Sequence, residues 1–507
     1  MNIIGGHRMK KKCILILLLL IFTNLAYSKE ICEIDRETSI VERVENRTYP
    51  SVFGAWSHEL LNYPRPDDIY EWSYIKEMLA HNDLFWGGTF RAIQWRLGPE
   101  GNQLVVNAGS LEYSQYERTQ LQELNSNFLL LSTLYHYGAI LETYPEDWPY
   151  WLRDKSGNRI QDVGWQAFLI DYTHPGAQDH FVQRAAALAK CGLFDGIFLD
   201  WWDESPEWDQ EMADLYHSSK VDAQVSLVRR IREVVGEDFL IIVNTNTRKV
   251  PRSAPYVNGS FMETIGPVQG YSRERLIEIE NALLWYQENF RYPQVNCLEG
   301  WGLPSEPLNA PRNEQTARVF ITLSLTHSDG YVSFTTGIGG GSNHEHAYEI
   351  WPEHSEEHLS GASHAHLHHK YWYSFYDAPL GRPVGGDETK AQVYENTAGL
   401  FIREFTNGWA VYNRSGKEQQ IELPENVSGV ANGVTGTRHV LADLDGEIYL
   451  KAIGIPADIN ADGTVNILDL VLVANGFGNS EPDLNGDGIV NILDLVLVAN
   501  AFGGPQE

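Results

Sequence analysis

From about Tyr49 to Thr336, short apolar runs alternate with amphipathic stretches, the pattern of repeated strand–helix units. Eight runs read as strands: Ser51–Trp56, Asp83–Trp86, Phe128–Leu134, Phe194–Asp200, Phe239–Asn244, Ser260–Glu263, Gln294–Glu299 and Gly330–Phe334. Between them, Asp179–Lys190, Val221–Val235 and Arg273–Gln287 repeat apolar residues with helical spacing. Eight strands over this length predict an α/β fold, a (β/α)8 TIM barrel. A doubly wound sheet is the alternative, although no Gly-rich phosphate loop follows the first strand. After Asp377 the period falls to two. Gly399–Phe405, Trp409–Asn413, Gln419–Leu423, Val440–Ala442 and Ile448–Ala452 predict a small antiparallel β-sandwich.

The ends of the chain carry different patterns. Lys10, Lys11 and Lys12 precede an aliphatic run, Ile14 to Phe22, and Ala26-Tyr27-Ser28 has the form of a cleavage site. Residues 1–28 therefore read as a signal peptide, with an uncleaved anchor as the alternative, and the product is expected to be exported. At the other end, Asp458-Ile-Asn460-Ala-Asp462-Gly463-Thr464-Val-Asn466-Ile-Leu-Asp469 repeats after 25 residues as Asp483-Leu-Asn485-Gly-Asp487-Gly488-Ile489-Val-Asn491-Ile-Leu-Asp494. Oxygen-bearing side chains at positions 1, 3, 5, 9 and 12, with Gly at 6 and a backbone carbonyl from Thr464 or Ile489 at 7, match a calcium loop. Position 12 is Asp instead of the EF-hand Glu. Each unit is too small to fold alone, and its clustered carboxylates repel until Ca2+ neutralises them. The expected layout is residues 1–28 signal peptide, 29–376 barrel, 377–455 sandwich and 456–507 paired calcium units, with two Ca2+ ions.

Composition narrows the chemistry. The 507 residues carry a formal net charge of -30, which disfavours nucleic acid as a partner. Fifteen Trp and 25 Tyr suit stacking on sugar rings and equally suit packing. Cys13 falls in the signal segment, and Cys32, Cys191 and Cys297 give neither a disulfide framework nor a zinc pattern. The last two sit in apolar contexts and are expected to be buried thiols.

Polar residues at the predicted strand ends supply the candidate site. A buried strand, Ile197-Phe198-Leu199, stops at Asp200, followed by Trp201 and Trp202. Its alternative role is capping the next helix, with Glu204 nearby. The third strand ends in Tyr135-His136-Tyr137, the fifth in Asn244, the sixth in Glu263 and the seventh in Glu299-Gly300-Trp301. In a parallel barrel these ends form one rim. Opposed carboxylates suit glycoside hydrolysis, one protonating the leaving oxygen and the other attacking or activating water. Asp200 with Glu263 is the first pairing, and Glu299 is the rival to Glu263. Tyr135, His136, Trp201, Asn244, Glu299 and Trp301 are expected substrate contacts, with packing the alternative for the aromatic ones. Asp171, followed by Thr173 and Pro175, suits helix capping as well as substrate. Asp203 is expected to be a solvated neighbour. A His-rich stretch with His344, His346, His354, His358, His364, His366, His368 and His369 follows the eighth strand and could border the mouth, but its spacing is irregular for a metal site.

Two resemblances sharpen this reading. Trp151-Leu152-Arg153-Asp154, Gly157, Asp171-Tyr172-Thr173-His174-Pro175 and Phe194-Asp195-Gly196-Ile197-Phe198-Leu199-Asp200 resemble the glycosyl-hydrolase-like TIM barrels of bacteria. They are more remotely similar to the melibiase clan and to endo-α-1,4-polygalactosaminidase. The resemblance covers most of Ser51 to Leu450. Carried over from the melibiase clan, it implies Asp200 as nucleophile and Glu263 as acid/base. That clan uses Asp in place of Glu263 and puts a Lys just before its strand-four Asp, where this chain is apolar, so the substrate does not transfer. Ala457 to Gly503 resembles a type I dockerin, which implies a cohesin partner. Ile467, Leu468, Ile492 and Leu493 then fall at the recognition positions, identical in both repeats, with packing between the units as the alternative. The expectation is a secreted, scaffold- or surface-attached glycoside hydrolase, of retaining type and without a catalytic cofactor. A non-catalytic carbohydrate-binding barrel and a metal-dependent hydrolase using the His-rich loop are the alternatives.

Overall fold

The computed structural model describes residues 38–58, 60–64, 72–87, 96–97, 104–105, 108–139, 144–162, 167–264, 269–303, 305–335, 368–451, 457, 459–460, 465–485 and 488–502. The predicted signal peptide, Cys32, the histidines from His344 to His366, and Asp458, Asp462, Thr464 and Asp487 lie outside the described residues.

The expected barrel is present. Its strands are β1 Phe53–Ala55, β2 Leu84–Gly87, β3 Leu129–Thr133, β4 Gly196–Leu199, β5 Leu240–Asn244, β6 Gly259–Glu263, β7 Cys297–Trp301 and β8 Tyr331–Thr335. They lie side by side in chain order, every neighbouring pair parallel. A parallel bridge between Val52 and Val332 joins the last strand to the first, with the Val332 N–H donating to the Ser51 carbonyl at 2.9 Å. β7 starts three residues later than the apolar run implied. Gln294 instead finishes the preceding helix, its amide donating to the Gln287 and Phe290 carbonyls.

Helices α1 Ile40–Asn46, α2 Trp72–Ala80, α3 Ala108–Leu124, α4 Pro175–Cys191, α5 Pro206–Gln210, α6 Lys220–Val235, α7 Arg273–Asn289 and α8 Pro311–His327 connect or precede these strands. α1 was not foreseen. Its start is a capping box of Ser39 and Glu42, and its Arg43 reaches the buried Asp195 just ahead of β4. Asp195 also receives Arg118 and, at 2.9 Å, the Leu130 N–H. Gly196 begins β4 where a Cβ would stand 2.4 Å from the Leu240 carbonyl oxygen, so the approach of β4 to β5 needs glycine.

Aromatic side chains fill the interior beneath the strand ends. Trp86 stacks on Phe198 at 4.7 Å and on Phe53 at 5.2 Å, and meets Phe261 edge-on at 5.0 Å. Trp56 crosses Phe198 at 5.3 Å. Cys297 is buried among them, as expected.

Contacts group the chain into two units, the barrel stretches and a unit containing Tyr373–Glu507. In the latter, β9 Leu400–Phe405, β10 Gly408–Asn413, β11 Gln419–Gly429, β12 Thr435–Leu441 and β13 Asp445–Lys451 form one five-stranded antiparallel sheet, ordered β9-β10-β13-β11-β12. The antiparallel expectation holds, within a single sheet. β11 runs 11 residues and shifts register between Glu422 and Val427, which lets it pair with β12 and then β13. Only His439 and Leu441 of β12 are buried, so most of that strand carried no apolar alternation to read. Two short helices, α9 Ile467–Asn475 and α10 Ile492–Asn500, end the described chain. They share a small core of Ala457, Val465, Val473, Val490 and Val498.

Candidate active site and calcium loops

The barrel brings Asp200, Asn244, Glu263 and Glu299 to adjacent strand ends, Asp200 just past β4 and the others on β5, β6 and β7. Asn244 Nδ2 donates to Asp200 Oδ1 at 2.9 Å and to Glu263 Oε2 at 3.0 Å. The amide orientation follows from its other end, where Oδ1 accepts the Asn246 backbone N–H at 3.2 Å. Asp200 Oδ1 also accepts the Trp201 N–H. Trp201 and Asn246 have φ of 55° and 56°, a left-handed conformation costly for side chains other than glycine. Both tight turns fall at the rim. Trp201 is 39% exposed and Tyr135 38%.

Asp200 does not cap the next helix. Ser205 caps α5 through the Trp208 N–H, and Glu204 accepts the Arg252 and Ser253 N–H groups. Asp171 accepts the Thr173 N–H and hydroxyl, a turn ahead of the His174 cap on α4. His136 is fully buried against Tyr172 and Trp202, as the packing alternative has it. One expectation needs correction. Asp203 is buried, accepts the Ser205 N–H and pairs with Arg248, so it is no solvated neighbour. Trp301, 3% exposed, lies edge-on to His368 at 5.4 Å.

His368 is the residue that sequence reasoning missed. Nothing in the spacing of the His-rich stretch singled it out. Its ring is buried, with Nδ1 3.0 Å from Glu299 Oε1 and Nε2 3.9 Å from Glu263 Oε1. Trp56 covers it at 4.7 Å. Two residues on, the Lys370 ammonium donates to the Phe53 carbonyl at 2.8 Å and to Asn82, and its charge acts on Glu299. Glu263, Glu299 and His368 place one ligand atom each within 4.8 Å of one another, the metal-like trio found among the described residues. The His368–Glu299 hydrogen bond and the nearby ammonium favour shared protons over a cation there.

Burial dominates the titration of this site. It pushes Asp200 up to about 6 against the opposing hydrogen bonds from Asn244 and Trp201. Glu263 is raised well above its usual range by burial and then by the charges of Asp200 and Glu299. Burial raises Glu299 as well, lowers His368 to about 3 and lowers Lys370 to about 7.

The C-terminal loops treat carboxylates differently. Asp469 Oδ1 accepts the Ile459 and Asn460 N–H groups at 2.8 and 3.1 Å, and Oδ2 accepts Asn466 N–H at 2.9 Å. Asp494 repeats this with Leu484, Asn485 and Asn491. Both carboxyls are held below the usual range, first by the Asn466 and Asn491 N–H groups. Asn466 and Asn491 cap α9 and α10, each in a capping box with the Asp three residues on. Gly488, at loop position 6, has φ of 94° and donates its N–H to Asp483 at 2.6 Å. The donors are all oxygen, with Asp483, Asn485 and the Ile489 carbonyl in the second loop, as a hard cation such as Ca2+ requires. Ile467, Leu468, Ile492 and Leu493 are 63, 56, 62 and 56% exposed and therefore not packed between the units.

Fold and site define a (β/α)8 barrel with facing acids at its C-terminal rim, joined to a tandem loop–helix module. That module is similar to a type I dockerin: residues 456–503 match the Dockerin type I domain, a class that generally binds calcium and docks cohesins. Among solved structures, the chain is similar to a maltogenic α-amylase, AmyB, from Thermotoga neapolitana, at 11% identity and a TM-score of 0.42, covering 80% of this chain and 96% of that one. It is similar to a pullulanase from Anoxybacillus sp. LM18-11 at 9% identity and a TM-score of 0.47, covering 84 and 72%. For the glycoside hydrolase domain of PelA from Pseudomonas aeruginosa the values are 14% and 0.32, covering 57 and 95%. No curated protein matches the chain. No helix among the described residues is long and apolar enough to cross a membrane.

Proposed function

We propose that this chain is an exported glycoside hydrolase that cleaves a polysaccharide or oligosaccharide and is held on a scaffold by its dockerin. The Asn244 bridge carries the reading. One nitrogen within 3.0 Å of both carboxyls limits their facing oxygens to about 6 Å apart, close to the roughly 5.5 Å of retaining enzymes. Asp200 accepts two hydrogen bonds and is the acid more easily ionised, so it is the nucleophile. Glu263 holds its proton more strongly and is the acid/base. Asp200 attacks the anomeric carbon as Glu263 protonates the departing oxygen. Glu263 then takes a proton from the water that displaces Asp200. Trp201 and Tyr135 offer stacking faces for the sugar ring.

In the dockerin, the two loops each take one Ca2+, which neutralises the clustered acids. The exposed Ile467-Leu468 and Ile492-Leu493 pairs contact the cohesin. The test is digestion of a broad glycan panel by wild type, Asp200→Asn and Glu263→Gln. Reducing sugar from wild type alone is the expected result. No release from any glycan, or equal release by the variants, overturns the enzymatic reading.

A further inference from the structure

The proposed acid sits in the middle of a row of side chains. Glu263 and Glu299 are register partners on β6 and β7. The His368 ring lies between their carboxyls, its Nδ1 toward Glu299 and its Nε2 toward Glu263. On its other side Glu263 receives Asn244, which also holds Asp200. The order is Glu299, His368, Glu263, Asn244, Asp200.

Donor chemistry gives this chain a direction. Asn244 Nδ2 can only donate, so Glu263 Oε2 is an acceptor. A proton on Glu263 then belongs on Oε1, the oxygen nearest His368 Nε2. For Nε2 to attract it, the neutral imidazole must carry its hydrogen on Nδ1, where Glu299 Oε1 stands as acceptor at 3.0 Å. Neutral imidazole in water prefers the other tautomer, so the Glu299 contact has work to do. Burial keeps the ring uncharged, with its pKa lowered to about 3. Among the described residues, the other titratable groups that act on this trio include Asp200 just past β4, Tyr271 ahead of α7, Cys297 on β7 and Lys370.

We infer that Glu299 and His368 are positioning residues for Glu263: Glu299 fixes His368 as the Nδ1–H tautomer, which turns an unprotonated Nε2 toward Glu263 Oε1, 3.9 Å away and beyond hydrogen-bond distance, so that its lone pair favours the acid's proton electrostatically. This rests on Glu263 being the acid/base of a glycoside hydrolase. The proton leaves Oε1 for the departing glycosidic oxygen as the C–O bond breaks. A proton from water restores it in the second step, so His368 stays neutral throughout.

The direct test is a long-range 1H–15N spectrum of the full chain labelled with 15N-histidine, His368 being the signal lost in His368→Gln. The expected wild-type signal is Nδ1–H with an acceptor Nε2 over about pH 5 to 8. Glu299→Gln is expected to move it to Nε2–H, and Glu263→Gln to leave it on Nδ1. The other histidine signals report that the variants fold. An Nε2–H tautomer in wild type, or no change in Glu299→Gln, overturns the inference. On a glycan that wild type cleaves, Glu299→Gln and His368→Gln should each shift the basic limb of kcat/KM down by about one pH unit. An activated aryl leaving group, which needs no acid, should restore their rate. Uniform loss at every pH, without restoration, marks a merely structural role and also overturns it. If wild type cleaves no glycan, the enzymatic reading fails by itself, and the spectrum still decides the tautomer.

Discussion

Asp200 and Asp469 are the same side chain with almost no solvent contact, at 2 and 0% exposure, yet they hold protons in opposite ways. Asp200 lies over an aromatic barrel interior with one side-chain amide and one backbone N–H as donors, and burial lifts it to about 6. Asp469 closes a loop with three backbone N–H groups aimed at its two oxygens, and its pKa falls. The difference teaches that proton affinity is set by whichever is stronger locally: burial at Asp200, the donors supplied to the charged form at Asp469. One arrangement makes a carboxyl easier to protonate. The other keeps an anion ready for a cation.

The largest effect that would test this contrast is on turnover. Glu263→Gln should lower kcat on the order of 10^2 to 10^4-fold for poor leaving groups, while Asp469→Asn leaves kcat unchanged and weakens Ca2+ binding by calorimetry. A third buried carboxyl, Asp195, sharpens the comparison because guanidinium groups satisfy it. Arg43→Leu should cost about 3 kcal/mol or more in denaturant unfolding, since it leaves buried charge less compensated. A smaller effect is the opposite pH response of the two regions. Asp200 is raised when folded, so its stabilising contribution is present below its unfolded pKa and is lost as pH rises through about 6. Asp469 and Asp494 are lowered, so theirs is present above the unfolded pKa and lost as pH falls through the folded value. Calorimetry in chelator should show Asp200→Asn removing the loss with rising pH between about pH 4 and 6, and Asp469→Asn removing the loss with falling pH below about pH 4. The smallest expected effect is Gly488→Ala, whose strained φ should weaken calcium affinity by a factor equivalent to about 1 kcal/mol.

Much of the barrel was legible because its strands are short, apolar throughout and end sharply in polar residues. Asp200 and Glu263 stood out for that reason. The residues that were not legible depend on contacts distant in sequence. His368 meets Glu299 across 69 positions, and only the closed ring of strands brings them together. Asn244 read as a sugar contact, but its bridge depends on β5 standing between β4 and β6. α1 was missed because its important residue, Arg43, is a charge that becomes buried, the reverse of the usual apolar signal. Asp203 read as solvated because sequence carries no sign of the Arg248 pairing. The C-terminal module was readable because its Asp and Asn positions are local and recur after 25 residues, and the match to the Dockerin type I domain falls on the same stretch.

The measurement that bears most directly on the paired acids is covalent trapping. Wild type would be incubated with a panel of 2-deoxy-2-fluoro glycosyl fluorides and mapped by peptide mass spectrometry. The expected result is one sugar attached to the peptide containing Asp200, and no attachment in Asp200→Asn. A sugar on Glu263 or Glu299, or attachment that survives in Asp200→Asn, would contradict the assignment.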